Sequence, residues 1–353
     1  MTERGAEAVP PMKSLRRWLH ADLRVVAPFV ALGALVLLGA LVSDRFLTVD
    51  NLVNVATRSA FIAIIAVGAT FVIAGGGLDL SVGSMAALIA GVMIFVMNGL
   101  GAPAPANAFF ATLSTLFGSS PMGILAAGIL LALLLGALCG LANGVVTTFG
   151  RIEPFIVTLG TMGIYRGLII WLAAGGTITM RSVELRELYR PVYFGSIAGV
   201  PVPILIFLAI AAAGALLLYR TPFGRHVVAL GSSEDVARYS GVPIARVRVL
   251  TYVIQGVCVA LAILVYVPRL GSATPTTGLL WELQAITAVV IGGTMLKGGT
   301  GRVWGTIAGA VILELVANIM VLSDLVSEYL VGAVQGAIII VAMLVQRGLH
   351  RRQ

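Results

Sequence analysis

The stretch TPFGRHVVALGSSEDVARYSGVPIARV, residues 221–247, is polar and separates two long apolar runs. Together with the arginines on either side, it holds five of the chain's 23 basic residues. The S-x-x-D pattern at Ser232 and Asp235 predicts a helix N-cap with a capping box. Gly241, followed by Pro243, predicts the end of that helix, because glycine adopts the left-handed conformation that terminates helices and proline cannot continue one. We therefore expect a short helix with both ends marked.

This short helix is expected to be amphipathic. Glu234 and Asp235 fall in its first turn, where the helix dipole favours anions. Val236 and Tyr239 are three residues apart and share one face. Because a two-turn helix is marginal alone in water, we expect it to rest against the membrane core, a partner protein or both. Two interpretations stay open from the residues alone. The helix either belongs to a loop that merely joins two spans, or docks a soluble partner that moves the membrane helices.

The composition on both sides of this stretch is that of a membrane protein. The chain is 59% hydrophobic and 11% charged, with a mean hydropathy of +1.04, whereas about a quarter of residues are charged in soluble domains. We predict an all-α polytopic membrane protein of about ten transmembrane helices, taking about 20 apolar residues as one crossing. The predicted spans are 25–42, 59–74, 82–97, 122–146, 154–174, 204–219, 249–267, 284–296, 303–321 and 328–346.

The basic residues predict the orientation of these spans. With ten spans, 16 of the 23 basic residues fall on the side that holds both termini, and six fall on the other side. Since Lys and Arg are retained in the cytosol, we expect both termini and the 220–248 loop to be cytosolic. The domain prediction is an N-terminal tail (1–24), one transmembrane permease domain (25–346) and a C-terminal tail (347–353). This topology explains the basic charge without a nucleic-acid partner.

Two glycine-rich segments of the chain resemble one another. IAGGGLDLSVGSMAALIAG (Ile73–Gly91) and IGGTMLKGGTGRVWGTIAG (Ile291–Gly309) agree at seven of 19 positions. Each reads as a glycine-rich break followed by a short apolar helix. Transporters built from repeats place broken helices at corresponding positions near the substrate path. We therefore predict two Gly-rich broken helices in related repeats.

Polar residues at or inside the spans are the candidates for a solute pathway or a gate. Asp79 either caps the helix that begins near Ser81 or contacts a solute at the break. Arg166 lies within a span and must face protein or water, with Asp79 and Glu314 as candidate partners. Trp281 and the residue after it are expected to be interfacial anchors. The other candidates, which also suit hydrogen bonds between helices, are Asn143, Thr158, Thr161, Gln255 and Asn318.

No motif in the sequence indicates an enzyme or a metal site. The three histidines fall in predicted cytosolic segments without metal-ligand spacing. The segment GGTMLKGGTGR lacks the phosphate-loop pattern, since Lys297 is followed by glycine. We predict that this chain catalyses no reaction and binds no metal or nucleotide cofactor itself.

Four motifs, in order, resemble the ribose-type permease subunits of bacterial ABC importers. They are GGGLDLSVGS, ANGVVTTFGRIEPFIVTLGTMGIYRGL, TPFGRHVVALGSSEDVARYSGV and ELQAITAVVIGGTMLKGGTGRVWGTIAGA, and the likeness covers residues 45–346. The resemblance implies a bacterial inner-membrane pore formed with a second copy or a paralogue. It also implies a separate cytosolic ATPase that uses ATP and Mg, and a periplasmic binding protein that delivers a monosaccharide or polyol.

The resemblance also assigns the ATPase-coupling helix. In the family it matches G-x-x-x-x-A-x-x-x-G-I, where this chain has Val242 in place of the last residue and Ser-x-x-Asp-Val where Asn-x-x-Ala-Ala is usual. The coupling residues implied are Gly231, Ser232, Glu234, Asp235, Val236, Ala237, Tyr239 and Gly241. The main alternative is an ion-coupled secondary transporter, in which Asp79 and Glu314 would bind the cation. A membrane-embedded enzyme acting on lipid-linked sugars is a second alternative, which the missing catalytic clusters disfavour.

Overall fold

Fourteen helices and four two-residue strands make up the computed structural model over the residues it describes, which are 11–104, 107–323 and isolated positions between 330 and 340. The helices are α1 (Pro11–Val42), α2 (Val49–Ala74), α3 (Val82–Leu100), α4 (Ala108–Phe117), α5 (Pro121–Phe149), α6 (Pro154–Leu172), α7 (Val183–Tyr189), α8 (Pro191–Phe194), α9 (Val202–Arg220), α10 (Pro222–Ser232), α11 (Glu234–Tyr239), α12 (Ile244–Leu270), α13 (Trp281–Ile291) and α14 (Val303–Ser323). The strands are β1 (Ile178–Thr179), β2 (Ser196–Ile197), β3 (Val200–Pro201) and β4 (Ser272–Ala273), and β1 pairs with β4 and β2 with β3, both antiparallel.

Seven described helices are long and apolar enough to cross a membrane: α2, α3, α5, α6, α9, α12 and α14. They correspond to seven of the predicted spans, and the all-α polytopic class is confirmed. The predicted span 25–42 falls within α1. The predicted span 284–296 has different helix bounds, because α13 covers 281–291 and ends at the Gly292 break. The predicted span 328–346 lies outside the described residues except for a few positions, so the count of ten stays a prediction.

The centre of the bundle is built by α2 and α12, which pack against each other, while α12 also packs along α5. A Cβ on Gly136 of α5 would lie 2.8 Å from the Cβ of Ala260 on α12, and one on Gly256 would collide with the carbonyl of Gly136. The two backbones are therefore in direct contact. Small residues allow this approach, and van der Waals packing at short range holds membrane helices together where the hydrophobic effect cannot.

The bundle has two chemically different ends. One end, called here the α11 end, holds α10 and α11 on a buried cluster formed by Ala74, Val227, Leu230 and Val247. The other end, called the far end, holds α7, α8 and the β1–β4 pair. There the Asn98 amide donates to the carbonyl of Thr179 and accepts from the Arg181 N–H, each at 2.9 Å. These contacts tie the end of α3 to the strand pair.

Two non-helical segments turn back into the bundle from opposite ends. Residues 75–81 follow α2 at the α11 end, and residues 274–280 follow β4 at the far end. A Cβ on Gly278 would lie 2.5 Å from the carbonyl oxygen of Gly83 on α3, so the second segment touches the helix that follows the first. This entry of non-helical chain leads directly into α13. The helix is shorter than the predicted span 284–296 because it ends at Gly292, where the second glycine-rich break begins.

The two similar segments have the same local architecture. Ile73–Gly91 covers the end of α2, a break and the start of α3, and Ile291–Gly309 covers the end of α13, a break and the start of α14. Both predicted breaks are therefore confirmed by the backbone, but the helices that follow are not short, because α3 has 19 residues and α14 has 21. The breaks also meet, because the Gly299 N–H donates to the carbonyl of Ala74 at 2.8 Å.

Candidate coupling surface and solute pathway

The polar stretch holds two helices in place of the one predicted. The helix α10 runs through Ser232, whose hydroxyl donates to the carbonyl of Val228 at 2.8 Å. The N-cap of α11 is Ser233, whose hydroxyl accepts from the Val236 N–H at 3.4 Å. The predicted cap at Ser232 is therefore wrong by one residue, and Asp235 lies at the second helical position without the predicted capping box.

The end of α11 follows the prediction. Gly241 has a φ of +78°, the left-handed conformation expected of it. The Gly241 N–H donates to the carbonyl of Arg238, and the Val242 N–H donates to the carbonyl of Ala237, both at 3.0 Å. This pair of hydrogen bonds is a Schellman motif, which satisfies the last carbonyls of a helix. The six-residue α11 is thus closed at both ends.

The exposed surface of α11 carries two apolar side chains beside the charged Asp235 and Arg238. Val236 is 63% exposed and Tyr239 is 91% exposed, whereas Ala237 is 2% exposed. The helix packs on the bundle through Ala237, so Val236 and Tyr239 are not buried by this chain, and the prediction that a partner covers their shared face stays a prediction. An exposed valine and tyrosine on one short helix form a surface that a partner protein could cover, since large aromatic side chains are favoured anchors of interfaces.

Glu234 fixes α11 to the next membrane helix. Its carboxylate forms ion pairs with Arg238 at 2.7 Å within α11 and with Arg248, the fifth residue of α12. Partial burial alone would raise the pKa of Glu234, but the hydrogen bonds and charges of Arg248 and Arg238 outweigh it and lower the pKa below its ordinary value. This ion pair links α11 directly to α12.

A second connection joins α11 to both helix breaks through glycines. A Cβ on Gly231, two residues before the α11 N-cap, would collide with the carbonyl of Ala74 and lie 2.5 Å from the Gly299 nitrogen. A Cβ on Gly298 would lie 2.7 Å from the carbonyl oxygen of Gly231 and 2.9 Å from the Gly76 nitrogen. We call this meeting of three backbones the glycine junction. It brings α10, the break after α2 and the break after α13 into direct contact.

Asp79 and its neighbours form a buried polar cluster at the first break. Asp79 accepts from the N–H of Ser81 at 2.9 Å and from its hydroxyl at 2.6 Å, and the Asn143 amide donates to both carboxylate oxygens at 3.4–3.5 Å. Asn143 also donates to the Ser81 hydroxyl at 2.8 Å, while its own side-chain oxygen has no partner. The N-cap of α3 is Ser81, which makes no side-chain capping hydrogen bond, so Asp79 does not cap α3 itself and instead holds Ser81 through its N–H and its hydroxyl.

Arg166 supports the second re-entrant segment. Its guanidinium donates to the carbonyl of Pro275 and, at 3.0 Å, to the carbonyl of Thr277. Neither of the partners proposed from the sequence is correct: Asp79 bonds to Ser81 and Asn143, and Glu314 pairs with another arginine. A non-helical backbone inside a membrane needs donors for its free carbonyls, and Arg166 supplies them.

Among the remaining predicted pathway residues, Thr158 reaches the first break. Its hydroxyl donates to the carbonyl of Pro154 at 2.9 Å within α6 and lies 3.5 Å from the carbonyl oxygen of Leu78, beside Asp79, whereas the Thr161 hydroxyl donates to the carbonyl of Thr158 at 3.2 Å within α6. Gln255 is fully buried on α12, and its side-chain nitrogen and oxygen have no partner. Asn318 exchanges amide hydrogen bonds with Asn51 at 3.0 and 2.8 Å, and these bonds hold α14 to α2.

The structure shows polar and aromatic residues that the sequence analysis missed or misplaced. Arg58 pairs with Glu314 at 2.9 Å, but the predicted span began one residue after Arg58 and left it in a loop. Trp281 is not an interfacial anchor: it is 8% exposed and packs against Phe61 and Tyr266. Among the described residues, no group of three or more His, Cys, Asp or Glu is placed to hold a metal ion.

A bundle of spanning helices with re-entrant segments defines a multi-pass membrane transport protein. The model of one protein family, described as the permease component of a branched-chain amino acid transport system, matches residues 51–343. The chain therefore belongs to this family of transport permeases. This confirms the prediction that it is a transport subunit and not an enzyme.

The relatives found among characterised proteins are sugar permeases by name. The ribose import permease protein of Haemophilus influenzae is 37% identical over 316 residues, covering 90% of this chain and 91% of the relative. The ribose import permease protein of Escherichia coli is 35% identical over 330 residues, covering 94% and 96%. The xylose transport system permease protein of Escherichia coli is 29% identical over 403 aligned positions, covering 98% and 97%.

Proposed function

We propose that this chain forms the membrane pore of an ATP-driven importer of a monosaccharide or related polyol, in the bacterial inner membrane. The ribose and xylose permeases that align over more than nine-tenths of the chain support this substrate class. The chain contributes no nucleotide site of its own, and ATP with Mg is used by a separate cytosolic ATPase. A second copy or a paralogue completes the pore, and a periplasmic binding protein delivers the sugar at the far end.

The observation that carries the proposal is the exposed pair Val236 and Tyr239 on α11, together with the two contacts that join this region to the membrane helices. Val236 and Tyr239 face outward, Glu234 links α11 to α12, and the glycine junction links it to both breaks. A partner that binds Val236 and Tyr239 would thereby move α12 and both helix breaks together. The excess of basic residues on this side supports a cytosolic α11 end with both termini there, and hence an ATPase as the partner.

The mechanism that follows is mechanical. Closure and opening of the ATPase shift α11, and the shift reaches α12 through Arg248 and the breaks through Gly231. The bundle changes between outward-open and inward-open states, as expected of alternating access. Few side chains need to recognise the sugar, because the binding protein supplies selectivity.

The main alternative, coupling to an ion gradient, is less well supported by the site. The Asp79 carboxylate already accepts two hydrogen bonds from Ser81 and two longer ones from the Asn143 amide. The Glu314 carboxylate is paired with Arg58. Both carboxylates proposed to bind a cation are thus engaged by donors of this chain, which leaves a coupling ion without an anionic ligand.

Reconstitution tests the proposal. Proteoliposomes containing the permease, its ATPase and its binding protein should accumulate a pentose, hexose or polyol only when ATP and Mg are inside. Uptake driven by an ion gradient without ATPase would contradict the proposal. Branched-chain amino acids serve as the second set of solutes, and their ATP-dependent uptake in place of sugars would overturn the substrate class while leaving the ATP-driven mechanism intact.

A further inference from the structure

Polar pairs run along the seam between α2 and α14 from one end of the bundle to the other. At the far end, Asn51 and Asn318 exchange two amide hydrogen bonds. Further in, Arg58 and Glu314 form an ion pair at 2.9 Å. Near the α11 end, the hydroxyls of Thr70 and Thr306 are 2.9 Å apart and buried. The seam between two central helices is therefore polar at three depths.

The ion pair lies deep in the membrane and remains accessible. Arg58 is the tenth residue of α2, and Glu314 lies nine residues before the end of α14, so each is about 14 Å along its helix from the far end. If the excess length of α2 extends equally beyond both surfaces, Arg58 lies about 9 Å inside the hydrocarbon layer. Yet the Arg58 side chain is 45% exposed and that of Glu314 is 19% exposed.

This exposure is not compatible with contact to lipid. A charged side chain that faces hydrocarbon is strongly unfavourable. Arg58 is also held at depth by Glu314, whose short side chain cannot reach the surface. Asn54, one turn before Arg58 on the same face of α2, is exposed as well. The face formed by Asn54, Arg58 and Glu314, called here the seam face, must therefore meet water or another polar surface.

Aromatic rings lie next to this polar face. Phe61 follows Arg58 by three residues, and its ring centroid is 5.3 Å from that of Tyr266 and 5.1 Å from that of Trp281. Sugars present apolar C–H faces that stack on rings and hydroxyls that bond to planar charged groups. Sites for small polar molecules combine these two features, with many apolar contacts and a few fixed polar groups. The Arg58–Glu314 pair supplies both donors and acceptors without net charge.

We infer that the seam face lines the solute passage, with the Arg58–Glu314 pair as a contact for the hydroxyls of a neutral sugar. The sugar class rests on the proposed function, whereas the location of the passage rests on the exposure of charged groups at membrane depth. The passage follows one side of α2, the helix that leads directly to the glycine junction. If the ion pair instead only fastens α2 to α14, the seam face has no contact with water.

Thiol accessibility separates these two cases. The complete transporter carrying Arg58→Cys, reconstituted in vesicles, is treated with a charged, membrane-impermeant methanethiosulfonate. Thiols must ionise to react, which lipid prevents. Leu134→Cys and Leu216→Cys are the controls, because these leucines are 57% and 62% exposed on α5 and α9. The native cysteines are buried, so the unmodified chain measures the background.

We expect Arg58→Cys to react at least about tenfold faster than both leucine controls. Glu314→Cys replaces it if Arg58→Cys fails to assemble. Asn54→Cys, modified with the same reagent, should lose most of its sugar uptake and regain it with dithiothreitol. Labelling of Arg58→Cys and Glu314→Cys no faster than the controls overturns the inference, and so does full uptake by modified Asn54→Cys.

The same vesicles separate this inference from the proposed function. If unmodified transporter takes up sugar with ATP and the seam face stays unlabelled, only the location of the passage is wrong. If the unmodified transporter takes up no sugar with ATP, the proposed function fails, whereas rapid labelling at Arg58→Cys would still place a water-filled passage along α2.

Discussion

Gly231 touches the carbonyl of Ala74 with main chain alone, so that not even one methyl group fits between α10 and the end of α2. Overpacking a close contact typically costs about 1–3 kcal/mol. We therefore expect Gly231→Ala to separate α10 from the breaks and to lower ATP-driven uptake about tenfold or more, while the ATPase still binds through α11. The measurement is sugar uptake, normalised to the amount of ATPase that co-purifies.

Gly160→Ala is the matched control for this prediction. Gly160 lies on α6, and an added Cβ would meet nothing within 4 Å. Its uptake should remain near that of the unmodified chain. Normal uptake by Gly231→Ala would show that the glycine junction does not transmit movement.

The outward face of α11 gives a prediction about partner binding. Val236→Glu places a charge at the centre of the apolar surface and should reduce ATPase co-purification at least about fivefold, because an unpaired charge at an interface is costly. Val183→Glu is the control, since Val183 is 64% exposed at the far end and Val236 is 63% exposed. Equal ATPase yields from the two variants would remove α11 from the interface. Ala237 is a poorer probe, because it is buried against the bundle.

Glu234 gives a prediction about pH. Its pKa is lowered by Arg248 and Arg238 despite partial burial, so its ion pairs stabilise the fold above the ordinary glutamate pKa of about 4.3 and are lost as the pH falls through the lowered value. Glu234→Gln should therefore be less stable than the unmodified chain at neutral pH by less than about 1 kcal/mol. Thermal unfolding in detergent should show this difference vanish in acid. A difference that grows on acidification would contradict the assignment.

Arg166 is expected to be structurally essential. Arg166→Met leaves the carbonyls of Pro275 and Thr277 without their donor inside the bundle. Loss of a hydrogen bond to a charged group costs about 1.5–3 kcal/mol, so the thermal midpoint should fall clearly and uptake should be lost. Arg190→Met, at an exposed position of the far end, is the control. Unchanged stability of Arg166→Met would mean that the segment 274–280 holds its conformation without Arg166.

Asp79→Asn is expected to keep most of the transport. The amide oxygen can still accept from Ser81, and Asn143 can turn its unpartnered side-chain oxygen toward the new amide. The cost is the Asn143 hydrogen bond to the Ser81 hydroxyl, worth about 1 kcal/mol. Initial uptake rates and thermal midpoints measure both effects. Complete loss of uptake in a folded Asp79→Asn protein would assign Asp79 a direct role with the solute or a proton.

Much of the fold could be predicted because its signals are local. Apolar length identifies a crossing without knowledge of any partner helix, and glycine clusters at Gly75 and Gly292 mark breaks in the same way. The helix end at Gly241 was predictable for this reason too. The entry of residues 274–280 into the bundle was not predictable, because this non-helical segment depends on Arg166, which is remote in sequence.

The errors at the candidate site have the same origin. Ser232 and Ser233 offer equal capping groups, and the choice falls on Ser233 because contacts of Gly231 keep α10 helical through Ser232. Arg58 is charged, and a charged residue marks the end of an apolar run. Its position inside α2 depends on the ion pair with Glu314, which lies on another helix. Hydrophobic periodicity does not show which distant segments pair. The seam face could therefore be recognised only from the structure.

The contact between Gly83 and Gly278 limits how a route through this bundle can open. Side chains change rotamer within nanoseconds, whereas whole segments move in microseconds to milliseconds. These two main chains are in direct contact, with the Glu282 carboxylate beside Gly83, so they part only when a whole segment moves. Any opening between α3 and residues 274–280 is thereby limited to slow movements of the backbone.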